Sequence, residues 1–285
     1  MEKTKITLGF SPCPNDCFMF DALIHGKIDT KGLELEAAIE DVETLNKMAF
    51  AGKLDVTKLS YHAFAHVTDI YQLLTSGSAL GFNCGPLLIA LPQTARKIKE
   101  NPAAMASLQV AIPGKYTTAN FLLSLAYPQL AKKSEMVFSE VEGAVLSGKT
   151  DLGLIIHENR FTYGQKGLVK IIDLGEWWET ETQTAIPLGG IAVKRNSTTE
   201  KKLLLNNLIK QSVEYAFANT NDVMGFVKQH AQEMDQKVMK QHIDLYVNEF
   251  SKELGDAGKK AVNILFDKAV AAKIIPSKPE NLFVK

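Results

Sequence analysis

His157 stands where an apolar run stops. Leu152, Gly153, Leu154, Ile155 and Ile156 precede it, and Glu158, Asn159 and Arg160 follow at once. A short apolar run that follows a turn, here Ser147-Gly148-Lys149, reads as a strand buried on both faces of an α/β sheet. The imidazole then sits at the carboxyl end of that strand, where open α/β sheets place their ligands. Histidine is the side chain that titrates nearest neutrality, which suits it to take a proton as a general base. A structural histidine whose ring nitrogens bond to backbone is the competing reading. The stretch alone leaves both open.

Three further stretches could hold or convert a ligand. In Ser11-Pro12-Cys13-Pro14-Asn15-Asp16, two prolines exclude helix and remove two backbone donors. A stiff connection is expected there, with Asn15 or Asp16 capping the helix that follows. Asp16 is also a rival base, which as a carboxylate would need a raised pKa to serve well. Ser60 ends the Lys58-Leu59-Ser60 stretch of a strand over 55–59 and is a natural cap for a helix over 61–67. A helix N-terminus is also an anion site, so Ser60 reads either as a plain cap or as a ligand contact. Pro113-Gly114-Lys115-Tyr116-Thr117-Thr118-Ala119-Asn120 follows a strand and precedes a helix. Its hydroxyls lie beside the first unpaired N–H groups of that helix, an arrangement fit for a carboxylate or phosphate. The spacing is not that of a phosphate-binding P-loop.

Other reactive side chains point elsewhere. His62 and His66 share a helix face without a third ligand and read as packing or surface residues. Cys13 and Cys17 are four apart, and with Cys84 they make an odd number of thiols. A metal pair is conceivable, but buried thiols are the expected state. No metal and no cofactor is assigned.

The elements around these residues alternate strand and helix as far as the extended segment 186–193, and from Thr198 on the chain is helical. Short strands are expected around Val137 and over 168–174, and Glu176-Trp177-Trp178-Glu179 opens a short helix whose two indoles point in different directions, so that at most one lines a cleft and the other is core or surface. The expected architecture is split. Residues 1–91 and 190–285 form a large α/β lobe and residues 92–189 a small one, with two extended crossings acting as a hinge beside an interdomain cleft. The chain has 285 residues, 46% of them apolar and 22% charged, enough for a sizeable core. Lys plus Arg and Asp plus Glu are 32 each, which gives no case for nucleic acid or an anionic membrane surface. No apolar run approaches the roughly 20 residues of a membrane span. The opening MEKTKITLGF lacks the apolar stretch of an export signal, so a cytoplasmic location is expected.

Seven blocks in order carry a resemblance. They are Ser11 to Asp16, Glu40-Asp41-Val42-Glu43-Thr44-Leu45-Asn46, Thr57-Lys58-Leu59-Ser60, Gly114 to Ala119, Ile155 to Tyr163, Asp173-Leu174-Gly175-Glu176-Trp177-Trp178, and Pro187-Leu188-Gly189-Gly190. Together they resemble the 1,4-dihydroxy-6-naphthoate synthases of the futalosine route to menaquinone, over almost the whole chain. The resemblance implies a type II periplasmic-binding-protein fold, in agreement with the split architecture. It implies a lyase that converts cyclic dehypoxanthine futalosine to 1,4-dihydroxy-6-naphthoate without a cofactor. It also implies His157 as proton acceptor, and Lys58, Leu59 and Ser60 with Thr118 and Ala119 as substrate contacts. Chorismate dehydratase of the same pathway and a non-catalytic binder of a small carboxylate are the rival readings.

Overall fold

The computed structural model describes residues 4–231 and 235–285; residues 1–3 of the N-terminal stretch lie outside the described residues. The chain divides into two compact units, Met1–Gly81 with Pro187–Lys285, and Phe82–Ile186. The strands in chain order are β1 (Thr4–Phe10), β2 (Leu33–Ile39), β3 (Val56–Ser60), β4 (Tyr71–Leu73), β5 (Ala79–Gly81), β6 (Leu87–Ala90), β7 (Val110–Ile112), β8 (Lys133–Glu135), β9 (Leu152–Ile155), β10 (Val169–Asp173) and β11 (Ile186–Lys194).

In the first unit the sheet runs β2-β1-β3-β11-β4, with β5 also pairing β11. β1 is parallel to β2 and β3, and β11 is antiparallel to β3 and β4. The helix Pro14–Ile24 connects β1 to β2, and every residue from Pro14 to Leu23 is buried. A helix shielded on all sides belongs in a core. It packs against the helices Thr199–Ala218, Thr220–His230 and Gln236–Tyr246. Phe18, Met19 and Phe20 join Phe10, Ile209, Val213, Val227 and Ile243 in that core.

The start of this helix corrects the sequence expectation. Cys13 is its N-cap and Pro14 its first residue, ahead of Asn15 and Asp16. A proline at the first helical position sacrifices an N–H that no helix satisfies, and its fixed φ suits the turn. The prolines therefore stiffen the approach without delaying the helix.

The second unit holds the sheet β10-β6-β9-β7-β8. β7 is parallel to β8 and β9, whereas β6 is antiparallel to β9 and β10. β9 is buried along its whole length, and Val141 and Val145 of the helix Val141–Leu146 pack with Ile155, Leu87, Ile89 and Ala111. Because β6 pairs with β9 and β10, the first crossing lies at Gly81/Phe82 and not after Leu91. The second lies at Ile186/Pro187. The strand expected around Val137 is β8, two residues earlier, and Val137 is exposed. Lys-Ser-Glu pairs with β7 alone, and an edge strand of that composition has no apolar alternation to reveal it.

Within this unit two backbones meet where only glycine fits. A Cβ on Gly85 would stand 2.1 Å from the Gly175 nitrogen. Gly85→Ala should therefore lower stability by about 1–3 kcal/mol, the cost of overpacking. Urea unfolding checks this, and an unchanged midpoint would contradict the close packing.

The three cysteines are in no disulfide and are buried, the latter as expected. Burial raises the Cys17 thiol and pushes Cys84 up to about 12. Iodoacetamide at pH 8 should label Cys17 and Cys84 slowly in the native protein and rapidly in guanidinium. Fast native labelling of either would show that its pocket opens.

Candidate active site

In the second unit, β9 ends at Ile155, and His157 takes a left-handed conformation with φ 58°. Among non-glycine residues, histidine is one of the few enriched there. The sharp turn separates the buried strand from the short helix Asn159–Thr162. His157 is half-buried, and its ring makes an edge-to-face contact with Phe138 at 4.9 Å between centroids.

Two anchors hold the segment that follows. Arg160 donates one hydrogen bond to the Gly85 carbonyl and another to Asp173 Oδ2 at 3.0 Å. Asp173 Oδ1 meanwhile accepts from the N–H groups of Gly175 and Glu176 at 2.8 and 3.3 Å, and so caps the helix Leu174–Thr182. Asn159 Nδ2 donates to Glu142 Oε2 at 2.8 Å, and Lys166 Nζ donates to the same oxygen at 2.6 Å. The turn at His157 is thus tied to the Gly85 loop, the end of β10 and the helix under the sheet. Trp178 is the core indole, donating to the Ala185 carbonyl at 3.1 Å.

The helix Thr118–Ala126 begins where the sequence suggested. Its cap is Thr117, whose Oγ1 accepts from the Asn120 N–H at 3.2 Å and donates to the Gly114 carbonyl at 2.9 Å. Thr118 and Ala119 form its first turn and are buried. Asn120 ties the turn down. Its Nδ2 donates to the Lys115 carbonyl at 2.7 Å, and its Oδ1 accepts from Lys133 Nζ at 2.7 Å. Lys133 also donates to Ser124 Oγ at 2.6 Å, and burial depresses its pKa.

Lys58, Leu59 and Ser60 lie on β3 in the first unit, opposite Ile191, Gly190 and Gly189 of β11. Leu59 is core. Ser60 precedes a helix of four residues, Tyr61–Phe64, and makes no side-chain cap. It is held instead by Asn46. The Ser60 N–H donates to Asn46 Oδ1 at 3.1 Å, and Asn46 Nδ2 donates to Ser60 Oγ at 3.3 Å. A hydroxyl that accepts in this way keeps its own proton for a ligand. Lys58 is buried, and its Nζ donates to Asp16 Oδ1 at 3.0 Å and to the Gly77 carbonyl at 3.2 Å. Gly189 leaves room for this side chain, since a Cβ there would meet Lys58 Cε at 3.4 Å and the Leu59 carbonyl at 2.8 Å.

Sequence reasoning did not find Asp16 as the partner of Lys58, nor Asn46, Glu142 or Asp173 as supports. The partners they hold across the fold, Ser60, Asn159 and Arg160, stand at a distance in sequence and no spacing announces them, although Asp173 also caps its own helix locally. The Asp41 cap of the helix Val42–Phe50 has a local signal, an aspartate two and three residues ahead of the N–H groups it accepts.

Comparison with known proteins gives this geometry a family. A family model described as menaquinone biosynthesis matches residues 6–271. A relative from Thermus thermophilus named "1,4-dihydroxy-6-naphtoate synthase" is 43% identical, over 98% of this chain and 99% of its own length. One from Streptomyces coelicolor with the same name is 38% identical, over 97% of each. Among solved structures, a protein of Archaeoglobus fulgidus matches with a TM-score of 0.87 at 33% identity, covering 95% of this chain and 98% of its own. The alkanesulfonate-binding protein of Xanthomonas axonopodis pv. citri matches with a TM-score of 0.69 at 13% identity, covering 100% and 97%. The fold is accordingly the α/β type II fold of periplasmic binding proteins. With the family model and both near-full-length relatives in accord, this chain belongs to the menaquinone-biosynthesis family.

Proposed function

We propose that this protein is a carbon–carbon lyase that converts cyclic dehypoxanthine futalosine to 1,4-dihydroxy-6-naphthoate, with His157 as general base. The observation that carries the reading is the match, over nearly the full length, to two relatives that bear the synthase name. The placement of His157 supports its role. It follows a buried strand, and its backbone is fixed by residues on both sides of the turn. A base held in this way loses little freedom when it meets its proton.

The reaction calls for removal of a proton beside a carbonyl and expulsion of the sugar-derived fragment as the ring becomes aromatic. It requires a base that is neutral near physiological pH and donors for the developing enolate oxygen. Thr118 and Ala119 offer the first N–H groups of a nine-residue helix, a position that favours negative charge. Lys58 offers an ammonium, and Ser60 a hydroxyl proton. Leu59 serves through its backbone. A cytoplasmic location fits a biosynthetic enzyme. Among the described residues, no helix is long and apolar enough to cross a membrane.

Incubation of the purified protein with cyclic dehypoxanthine futalosine, followed by chromatography, should yield the naphthoate. Absence of product, with tight substrate binding, would favour a binding protein. Turnover of chorismate instead would favour the dehydratase.

His157→Asn is the informative variant, because asparagine tolerates the left-handed backbone that His157 adopts. It should lose about 10²–10⁴-fold in kcat while still binding substrate. In the wild type, kcat/KM should show an acid limb and fall as pH drops, because a protonated base cannot act. Near-wild-type kcat in a folded His157→Asn would place the base elsewhere. Thr118→Ala should raise KM more than it lowers kcat if its contact is equally strong in ground and transition states. Unchanged kinetics in both Thr118→Ala and Ser60→Ala would remove the proposed oxygen contacts.

A further inference from the structure

Asp16 is 1% exposed and lies in the first turn of the helix Pro14–Ile24. Its Oδ2 accepts from the Ser11 N–H at 3.1 Å and from Ser11 Oγ at 2.7 Å. Its Oδ1 accepts from Asn15 Nδ2 at 2.9 Å and from Lys58 Nζ at 3.0 Å. A carboxylate offers about four lone-pair sites, and here each has a donor. None is left to take a proton from a substrate, so Asp16 is poorly built to be the base.

The same network fixes its neighbours. Because Asn15 Nδ2 donates to Asp16, Asn15 Oδ1 must accept, and it does so from His242 Nε2 at 2.9 Å. His242 is fully buried on the helix Gln236–Tyr246. The carboxylate is thereby locked to the loop after β1, to its own helix and, through Asn15, to a second helix. Lys58 is the partner with capacity to spare. It is 5% exposed, and an ammonium has three N–H donors, of which Asp16 and Gly77 take two. Among the described residues the third has no acceptor. An ammonium N–H beyond those two bonds is available to a ligand atom.

We propose that Asp16 is a positioning residue, which orients Lys58 so that its third N–H meets a substrate oxygen. The inference rests on the lyase reading above. In it, the Asp16 charge also makes burial of the ammonium tolerable, and Ser11 and Asn15 keep the carboxylate from turning away.

Steady-state kinetics of Asp16→Asn, Lys58→Met and the double variant test this, each across a range of pH. Asp16→Asn should raise KM by about tenfold or more, as for the loss of one charge-assisted hydrogen bond. It should keep the acid limb of the wild-type pH profile. Lys58→Met should raise KM by at least as much. The double variant should be no worse than Lys58→Met, because the two residues act as one unit. Should Asp16→Asn fail to fold, Ser11→Ala removes one donor to the carboxylate and leaves the charge. It should raise KM modestly in the wild type and not at all beside Lys58→Met.

Loss of the acid limb in Asp16→Asn would make Asp16 the base and overturn the proposal. So would KM effects that multiply in the double variant, or an unchanged KM in a folded single variant. These outcomes leave the lyase reading intact as long as the wild type forms naphthoate. A wild type that forms none removes both.

Discussion

A left-handed backbone at a non-glycine residue costs on the order of 1–2 kcal/mol, and the second unit is organised to hold His157 in one. Without that turn β9 would run on, and the chain could not reverse into the short helix Asn159–Thr162. The turn persists because both flanks are fixed. Upstream lies a strand buried along its length. Downstream, Asn159 is bound to Glu142, and Arg160 to Gly85 and Asp173. Asp173 cannot move to release Arg160 without also uncapping the helix Leu174–Thr182. The Gly85–Gly175 approach brings the Arg160 acceptor and that helix start together. One strained residue is therefore held by contacts that each serve a second element, and backbone strain persists where its surroundings over-determine it.

The first unit meets a different constraint, burial of charge. A lysine ammonium in the interior is tolerable only beside a carboxylate that is itself well hydrogen-bonded. Lys58 and Asp16 satisfy this from a strand and a helix, with Ser11 and Asn15 completing the shell. The stiff Ser11–Pro14 connection now has a physical purpose. It delivers a hydroxyl and a backbone N–H to one carboxylate oxygen, then starts the helix at once, with Pro14 at the one position where proline costs nothing.

Much of this was legible from the chain. The apolar run before His157, the threonines ahead of the helix Thr118–Ala126 and the long C-terminal helices all follow local rules of period and capping. The expectation for Asp16 failed because a capping residue and a carboxylate buried beside a lysine look alike in sequence. Only the fold sets Lys58, 42 positions away in sequence, within 3.0 Å. β8 was displaced for a similar reason, since its place is set by pairing with β7 and not by its own residues. The first crossing moved because β6 is a buried run with no mark of which sheet it joins. Local chemistry is written in neighbouring residues, whereas support for a site is written in partners that the fold brings together.

Proton NMR of the reaction in deuterium oxide follows the very proton that His157 is proposed to remove. With the wild type, the substrate signal beside the carbonyl should vanish as the naphthoate ring signals grow. With His157→Asn, the substrate should show line broadening from binding, and both changes should be slower by about 10²–10⁴-fold. Naphthoate signals growing in His157→Asn at the wild-type rate would contradict the account.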